Sequence, residues 1–325
     1  MSATIRDVAT TAGVSVTTVS RVMNNRGSLS DKTRKKVHDA MQELNYYPNQ
    51  MARNLLQQKT GIIGIIVPDV SHNYYGQIVK CVEEELCLRQ YKLMLCNSKN
   101  KQSLERDYIE MLQCHRADGI ILASHTQERE SYSGLAAPVI TLDIPLEAPV
   151  PVIASDHSSG GNLAASELIR CGCKNVVQVW GVSSSEKPVD LRHHKFKEKL
   201  EENGIFCKTI QISVNIFDFS SYLHITEEIL DTTPNIDGFF AADNIAAAMI
   251  HTAYKRGIKI PEQLKIVGYD GTDTSYLVTP ALTTVQQNIP LIAKTAVETL
   301  VQIIAGKSTA SIQPIPVHLV RGETT

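Results

Sequence analysis

The sequence predicts an all-α head with a helix-turn-helix, followed by an α/β body with parallel sheets in two lobes. Residues 1–60 show short helical patterns and a basic charge, whereas from Gly61 onward short apolar runs alternate with longer helical patterns. Such alternation is typical of parallel sheets covered by helices on both faces. Roughly 260 residues are many for one sheet of this kind, which favours two lobes.

Three short helices are predicted in the head from apolar spacing and helix caps. The first ends at Gly13, where glycine permits the positive φ of a tight turn. Ser15 is a candidate cap of the second helix, and Ser30 and Asp31 are candidate caps of the third. The inner faces would carry Ile5, Val8, Ala9, Ala12, Val19, Val22, Met23, Val37, Met41 and Leu44.

The second helix would present side chains suited to the major groove of DNA. If Val19 and Val22 are buried, Val16, Thr17 and Arg21 face outward. An arginine can form two hydrogen bonds with guanine and a valine can touch a thymine methyl group, while hydroxyl groups and a helix N-terminus suit phosphates. An ordinary three-helix bundle with a polar face is the alternative. The DNA contacts predicted here are Ser15, Val16, Thr17, Thr18, Ser20 and Arg21.

The distribution of charge favours a polyanion-binding head on an acidic body. The chain has 325 residues, 43% of them hydrophobic, and a formal net charge of −2. Residues 1–60 contain nine Lys or Arg and four Asp or Glu, so this segment carries +5 and the remainder −7. A basic segment of this kind is typical of nucleic-acid binding. A solvated charged surface would give the same count.

Cysteine usage and hydropathy indicate a cytoplasmic protein without a disulfide framework. The seven Cys are odd in number and form no CxxC motif, and the Cys and His spacing does not suit zinc. The N-terminus lacks the apolar core of a signal peptide, and no apolar run reaches the ~18 residues of a membrane span. We expect no metal and no cofactor.

Strands and helices alternate along the predicted body. Apolar runs predict strands at 62–67, 92–96, 119–122, 139–142, 175–179, 209–212, 238–241, 265–267 and 315–320. Amphipathic patterns predict helices at 77–89, 104–114, 162–170, 191–203, 222–230, 245–255 and 291–304. Between head and body, residues 50–57 could form one or two helical turns, too few to be stable in water without a partner.

An ordered series of motifs closely resembles the lactose/galactose repressor family. The head contains VSVTTVSRVMNN, SDKTR and ELNYYPNQMARNL. The body continues with IVPDVSHNYY at 66–75, ADGIILAS at 117–124, VGYDG at 267–271 and PALTTVQQ at 280–287. The resemblance therefore covers nearly the whole chain.

The resemblance implies that the head binds a pseudo-palindromic operator as part of a homodimer. Residues 1–48 would be the DNA-binding domain and residues 49–60 a hinge helix that folds on the operator. Leu55 stands where the family places a minor-groove wedge, which bends DNA at a cost of a few kcal/mol of unstacking. A buried linker leucine is the alternative. The further DNA contacts assigned on this basis are Asn24, Tyr46, Asn49, Ala52, Arg53 and Leu55.

The resemblance also implies that residues 61–325 are an effector-binding and dimerisation domain with the fold of periplasmic sugar-binding proteins. The N-lobe would contain about 61–157 and 289–315, and the C-lobe about 158–287 and 316–325. The chain ends without the leucine-heptad tail of the tetrameric lactose repressor, so we expect a dimer. Dimer contacts are expected near helices 77–88 and 291–304.

Several residues match effector-contacting positions of the family in the cleft between the lobes. Arg192 opens a predicted helix, and Asp143, Asp243 and Asp270 follow predicted strands, where α/β folds place ligands. Each could instead have a purely structural role: a surface cation for the arginine, and a turn or helix cap for the aspartates. The predicted ligand contacts are Asn73, Tyr75, Asp143, Arg192, Phe217, Asp243, Asp270 and Gln287.

Departures from the family leave the effector open. Lys195-Phe196 replaces a common Gly-Phe, and Ala242 replaces a common Asn, removing one partner for a sugar hydroxyl. We expect a repressor controlled by a small sugar or sugar derivative, acting as inducer or corepressor. The alternatives are a purine-type regulator and a global catabolite regulator with a protein corepressor.

Two alternative functions belong to other classes of protein: an enzyme and an exported sugar-binding protein. No G-x-S-x-G, Walker A or G-x-G-x-x-G motif is present, so catalysis is not expected. The adjacent His193 and His194 have no fitting carboxylate or Cys set and are expected on a solvated helix face. The basic head and the missing signal peptide oppose export.

Overall fold

The chain folds into two units, Met1–Thr60 and Gly61–Thr325. The computed structural model describes residues 3–23, 27–46, 59–124, 135, 137–146, 150–182, 187–213, 218–308 and 311–325. Within these residues, no helix is long and apolar enough to cross a bilayer.

The described part of the head contains three helices, as predicted: α1 (Ile5–Ala12), α2 (Val16–Met23) and α3 (Asp31–Glu43). Gly13 ends α1 with a φ of 65°. The Ser15 hydroxyl accepts a hydrogen bond from the Thr18 amide at 3.1 Å, and the Ser30 hydroxyl caps α3 through the Thr33 amide at 3.2 Å. The core of the head consists of Val8, Ala9, Ala12, Val19, Val22, Val37 and Ala40.

The first sheet of the body is parallel and has the strand order β2-β1-β3-β4-β5. Its strands are β1 (Ile62–Val67), β2 (Lys92–Asn97), β3 (Gly119–Leu122), β4 (Val139–Leu142) and β5 (Val152–Ile153). Three helices cover it: α4 (Asn73–Leu88), α5 (Gln102–Cys114) and the late helix α11 (Ile289–Ile304). The apolar face of α11 packs with α4 on one side of this sheet. This assembly is the N-lobe.

The second sheet has the order β11-β10-β9-β8-β6-β7 and forms the C-lobe. Its strands are β6 (Asn175–Val182), β7 (Phe206–Ser213), β8 (Gly238–Phe240), β9 (Lys265–Asp270), β10 (Thr283–Gln286) and β11 (His318–Val320). Its helices are α6 (His157–Arg170), α7 (Leu191–Glu202), α8 (Phe219–Thr232), α9 (Asp243–Lys255) and the single turn α10 (Thr274–Leu277). The predicted fold class, a helical head with a two-lobed α/β body, is confirmed.

Three chain segments connect the lobes, and hydrogen bonds tie them together. The first runs from β5 to α6, the second from β10 to α11, and the third precedes β11. Ser155 in the first pairs with Ile315 in the third as a parallel bridge. The Ser155 hydroxyl donates to Gln287 Oε1 in the second at 2.7 Å. The connecting segments therefore form one bonded junction.

The last strand differs from its prediction. It begins at His318 rather than 315, and it pairs with β10 in the antiparallel direction. Pro314 and Pro316 flank Ile315, and a proline has no N–H to donate to a ladder. Ile315 makes only its bridge to Ser155, so the sheet pairing starts beyond the second proline.

Short or polar elements escaped prediction. The two-residue β5, the threonine-rich β10 and the one-turn α10 were missed, because none of them shows an apolar period. Helices α4 and α6 begin at Asn73 and His157 rather than at 77 and 162. The first turn of α6 is His-Ser-Ser-Gly and that of α4 is Asn-Tyr-Tyr-Gly, and neither continues the aliphatic period of its helix.

Candidate DNA-binding helix and ligand cavity

The exposed face of α2 consists of the residues predicted to contact DNA. Val16 is 40% exposed, and Thr17 and Arg21 are also exposed, while Val19 and Val22 are buried behind them. An exposed valine beside an arginine on the second helix of a tight pair suits base edges more than solvent.

The other predicted DNA contacts lie at different depths. The hydroxyl groups of Ser15 and Thr18 bond to each other at 2.9 Å at the start of α2, and Ser20 is partly exposed. Tyr46 packs partly buried against the core of the head. Asn24, Asn49, Ala52, Arg53 and Leu55 lie outside the described residues.

A cavity opens between the lobes, where strands of both sheets end. Asp143 follows β4 in the N-lobe, and Asp270 ends β9 in the C-lobe. The cavity offers about 150 Å³ to the centres of water-sized molecules, within about 960 Å³ of empty space that includes open solvent. Tyr75, Asp143, Arg192, Asp270 and Gln287 line it, together with apolar side chains that include Leu142, Val179, Val189, Ile212 and Ile245.

A hydrogen-bonded chain joins the two lobes at the floor of this site. Asp143 Oδ1 lies 2.9 Å from His157 Nε2, and His157 Nδ1 lies 2.8 Å from the Tyr269 hydroxyl. His157 is 1% exposed. Asp143 has a φ of 56°, a left-handed conformation that is uncommon for residues other than glycine and that aspartate adopts more readily than most.

Arg192 and Asp270 form the charged centre of the cavity. The Arg192 guanidinium lies 4.4 Å from the centroid of the Tyr269 ring and its Nη1 is 3.6 Å from Asp270 Oδ1. Gln287 Nε2 donates to the same oxygen at 2.9 Å. Burial raises the pKa of Asp270, and the positive charge of Arg192 opposes this rise. Asp270 has a φ of 115°, so this carboxylate is held by a strained backbone.

Asp243 does not line the cavity, although its neighbour Ala242 does. Its carboxylate is buried and accepts hydrogen bonds from the Thr272 amide at 2.7 Å, the Thr272 hydroxyl at 3.0 Å and the Thr284 hydroxyl at 2.6 Å. Burial and the nearby charge of Asp270 raise the pKa of Asp243 to about 7. These bonds hold Thr272, in the loop directly after Asp270, and Thr284 of β10.

Asn73 lies beside the cavity rather than in its lining. Its amide donates to the Thr274 hydroxyl across the two lobes, and both residues line a neighbouring groove. Phe217 lies outside the described residues.

Three aromatic residues in the cavity lining were not predicted: His72, Tyr74 and Tyr222. The Tyr74 hydroxyl is buried and has no hydrogen-bond partner among the described residues, so it is available to a ligand. The run HNYY at the start of α4 was the available signal, because two aromatics follow a strand end there. Only Asn73 and Tyr75 were selected from it.

The expectation of a solvated histidine pair is wrong for one of the two residues. His194 is exposed, but His193 is 2% exposed and packs against Trp180 and Phe240. Helix α7 turns its inner face toward β6 and β8 at this position, so adjacent histidines point in different directions.

No group of three or more metal-ligating side chains is found in the part of the chain that the structure describes.

Comparisons with known proteins agree with this architecture. Residues 4–49 match the family described as bacterial regulatory proteins, lacI family. Residues 60–322 match the family described as periplasmic binding proteins and sugar binding domain of LacI family.

Relatives and solved structures match over the full length. A sucrose operon repressor of Streptococcus mutans is 38% identical over 325 residues, 100% of both chains. A ribose operon repressor of Halalkalibacterium halodurans is 35% identical, over 99% of this chain and 97% of the relative. The lac repressor dimer bound to operator and the anti-inducer ONPF has a TM-score of 0.87 and 26% identity, covering 100% of this chain and 99% of that one. The chain belongs to the LacI family of bacterial regulatory proteins.

Proposed function

We propose that this protein is a cytoplasmic, homodimeric transcriptional repressor whose affinity for operator DNA changes when a small sugar binds between its lobes. The observation that carries the proposal is a cavity with polar side chains from both lobes, in a chain whose head exposes a groove-reading helix face. A ligand that contacts both lobes favours one lobe arrangement over another. It can therefore couple to the DNA affinity of two attached heads, typically by ~1–3 kcal/mol.

In the proposed complex, α2 lies in the major groove of each half-site. Val16, Thr17 and Arg21 contact base edges, and hydroxyl groups at the start of the helix contact phosphates. The remaining proposed contacts are Ser15, Thr18, Ser20, Asn24, Tyr46, Asn49, Ala52 and Arg53, with Leu55 as the minor-groove wedge. A two-fold dimer requires a pseudo-palindromic operator.

The proposed ligand is an uncharged sugar. Sugar hydroxyls need both donors and acceptors, which Arg192, Asp143, Asp270 and Gln287 supply. Among the described lining residues there are one arginine and two aspartates, and the arginine lies beside Asp270. A phosphate group would therefore meet an excess of negative charge. The sucrose and ribose repressors among the relatives support a sugar as the effector class.

The other predicted ligand residues have different parts in this proposal. Tyr75 lines the cavity and Phe217 packs on the effector. Asp243 supports the Asp270 loop from behind, and Asn73 connects the lobes beside the cavity. The genes next to this one would indicate which sugar is the effector, if they encode sugar transporters or hydrolases.

The proposed dimer contact uses apolar side chains that a single chain leaves exposed. Leu88 at the end of α4 and Leu95 on β2 are exposed on the N-lobe. Tyr254 on α9 and Tyr276 and Leu277 on α10 are exposed on the C-lobe. Large apolar side chains grouped on a surface mark association sites, and a second copy of the chain is the proposed occupant.

The proposal is tested with full-length protein and fluorescent palindromic duplexes selected from a random pool. Anisotropy titrations are run with sucrose, D-ribose and their phosphates. An uncharged sugar should change operator affinity roughly 5- to 150-fold, downward for an inducer and upward for a corepressor. Failure to select any palindromic duplex would refute the repressor, and selection without any sugar effect would refute the proposed regulation.

The variant Arg21→Ala tests the proposed DNA contacts in the same assay. It should lose discrimination between the selected duplex and random DNA by ~1–3 kcal/mol and keep salt-sensitive binding to both. Equal loss on both duplexes would argue against base contacts by Arg21.

A further inference from the structure

His193 is a buried histidine directly beneath the charged centre of the cavity. It follows Arg192 at the start of α7 and is 2% exposed. Its ring stacks on Trp180 with centroids 5.3 Å apart and packs against Phe240 at 5.7 Å. Neither aromatic neighbour is charged: the ring stacks on Trp180 and lies tilted against Phe240, with Arg192 at its Nε2 edge.

The hydrogen bonds of His193 require one tautomer. Arg192 Nε donates to His193 Nε2 at 3.2 Å. An arginine has no acceptor, so Nε2 must carry the lone pair and Nδ1 the proton. Nδ1 then donates to Gln178 Oε1 at 3.0 Å.

Gln178 is oriented to receive that proton. Its amide nitrogen donates to the Thr209 hydroxyl at 2.9 Å and to the His193 carbonyl at 3.4 Å, which leaves its amide oxygen toward the ring. Gln178 is 1% exposed, and a buried amide keeps the orientation that satisfies its partners. A series of hydrogen bonds therefore runs from Thr209 on β7 through Gln178 on β6 and His193 on α7 to Arg192.

These hydrogen bonds leave the terminal nitrogens of Arg192 free to face the cavity. With Nε occupied and the guanidinium plane resting on Tyr269, Nη1 points to Asp270. Nη2 has no acceptor among the described residues. A planar guanidinium fixed at Nε and on one face presents its remaining donors in one direction.

We propose that His193, as the neutral Nδ1–H tautomer, is the positioning residue that holds Arg192 in its ligand-binding orientation. The proposal rests on the proposed function only in that Arg192 contacts the ligand. His193 itself need not touch it.

The charge state of His193 then affects ligand binding. Burial and the adjacent Arg192 lower the pKa of His193 well below its usual value. A protonated His193 would lose its acceptor and place a second cation 3.2 Å from Arg192 Nε. Arg192 and His194 from α7, Gln178 and Trp180 from β6 and Phe240 from β8 surround the ring, with His157 of α6 farther away. Lys197, Glu198, Glu201 and Glu202 of α7 line the groove that His193 borders. No carboxylate of the described residues is hydrogen-bonded to the ring to stabilise the added proton, so ligand affinity should fall at acid pH.

The first test measures the tautomer without any ligand. In the full-length protein labelled with ¹⁵N-histidine and ¹⁵N-arginine, the His193 Nε2 should resonate as an unprotonated nitrogen and Nδ1 as a protonated one. The Arg192 Nε–H should exchange slowly with water. A protonated Nε2 on neutral His193 would overturn the proposal, whatever the protein binds.

The second test compares substitutions at adjacent histidines with sucrose and D-ribose as probes. His193→Leu leaves a buried arginine N–H unpaired, which should weaken binding roughly 5- to 100-fold. His193→Gln offers an acceptor oxygen and should recover most of that affinity while losing the part of the acid decline due to the imidazole. His194→Leu makes the same change on the exposed neighbour, and should leave affinity within about threefold.

Two outcomes of the substitution test are decisive. Equal affinity of wild type and His193→Leu would overturn the proposal. So would an equal loss in the Leu and Gln variants, since that indicates packing alone. If His193→Leu does not fold, as far-UV circular dichroism would reveal, the Gln variant and the tautomer measurement still test the proposal. If neither probe binds the wild type, the proposed function is in question while the tautomer result stands.

Discussion

Two buried carboxylates of the C-lobe differ in how closely arginines bind them. Glu167 on α6 accepts hydrogen bonds from Arg170 at 2.6 Å, from Arg321 at 3.1 Å and from the Thr325 hydroxyl at 2.9 Å. Asp270 in the cavity accepts one from Gln287 at 2.9 Å, and its arginine stands 3.6 Å away. The first carboxylate is crowded with donors and the second has few.

The pKa values follow this difference. Burial alone would raise the pKa of Glu167, but hydrogen bonds from Arg170, Arg321 and Thr325 lower it to about 2. For Asp270 burial dominates and its pKa is raised, with Arg192 only opposing the rise. Glu167 thus fastens the C-terminal segment to α6, whereas Asp270 keeps hydrogen-bonding capacity for something else. Buried charges with incomplete partners cluster at functional sites.

The strongest test of this contrast removes the cavity arginine. Arg192→Ala should weaken binding of the uncharged sugar effector by ~100-fold or more, because charged hydrogen bonds of ~1.5–3 kcal/mol each are lost. Isothermal titration calorimetry measures the affinity. Lys195→Ala removes the same charge from the same helix outside the cavity and should bind normally. Unchanged affinity in Arg192→Ala would place the ligand elsewhere.

The converse change targets the crowded carboxylate. Glu167→Gln should lower the free energy of unfolding by ~1–3 kcal/mol, because its buried oxygens hold three donors, and should leave sugar affinity unchanged. Glu198→Gln, at an exposed pair with Lys195, is the control and should cost less than ~1 kcal/mol. Equal denaturant midpoints for both variants would contradict the structural role of Glu167.

Acid pH should weaken the Glu167 cluster selectively. A carboxylate with a folded pKa of about 2, against its ordinary pKa of 4.5, stabilises the fold fully above pH 4.5. That contribution is lost as the pH falls from 4.5 toward 2. Urea unfolding across this range should show a shallower decline for Glu167→Gln than for the wild type. Parallel curves would show that the pKa of Glu167 is not depressed.

The smallest expected effect concerns the strained carboxylate. Asp270→Gly removes the partner of Arg192 but also relieves a φ of 115°, and such strain costs ~1–3 kcal/mol. The two effects should nearly cancel, so thermal unfolding should change by less than ~1 kcal/mol while sugar binding weakens. Asp270→Asn keeps the strain and is the matched comparison, expected to be the less stable of the two. If the Gly variant is less stable than the Asn variant, backbone strain does not determine the difference in their stability.

Local patterns predicted much of the head and of the sheets. Gly13 and the Ser15 cap occur where the turn and second helix were expected, because such signals act through neighbours only a few residues away. Buried strands such as β1 and β3 are recognisable as apolar runs. The β10 run of Thr-Thr-Val-Gln offers no such signal, since its burial comes from pairing with β9.

The direction of individual side chains was harder to predict than the position of their elements. Asp243 and Asp270 both stand at strand ends, yet one carboxylate turns into the lobe and the other into the cavity. His193 and His194 are adjacent, yet one is buried and one exposed. Such differences depend on what α7 and α9 pack against.

The sequence by itself determined the order of the strongly patterned helices and strands, the basic head and the set of polar residues at strand ends, because each depends on local geometry or composition. Only the tertiary structure decided which of those polar residues meet. Arg192 reaches Asp270 across 78 positions of the chain, and Glu167 reaches Arg321 across 154. Contacts between residues so far apart arise from the packing of whole elements, and no periodicity along the chain encodes them.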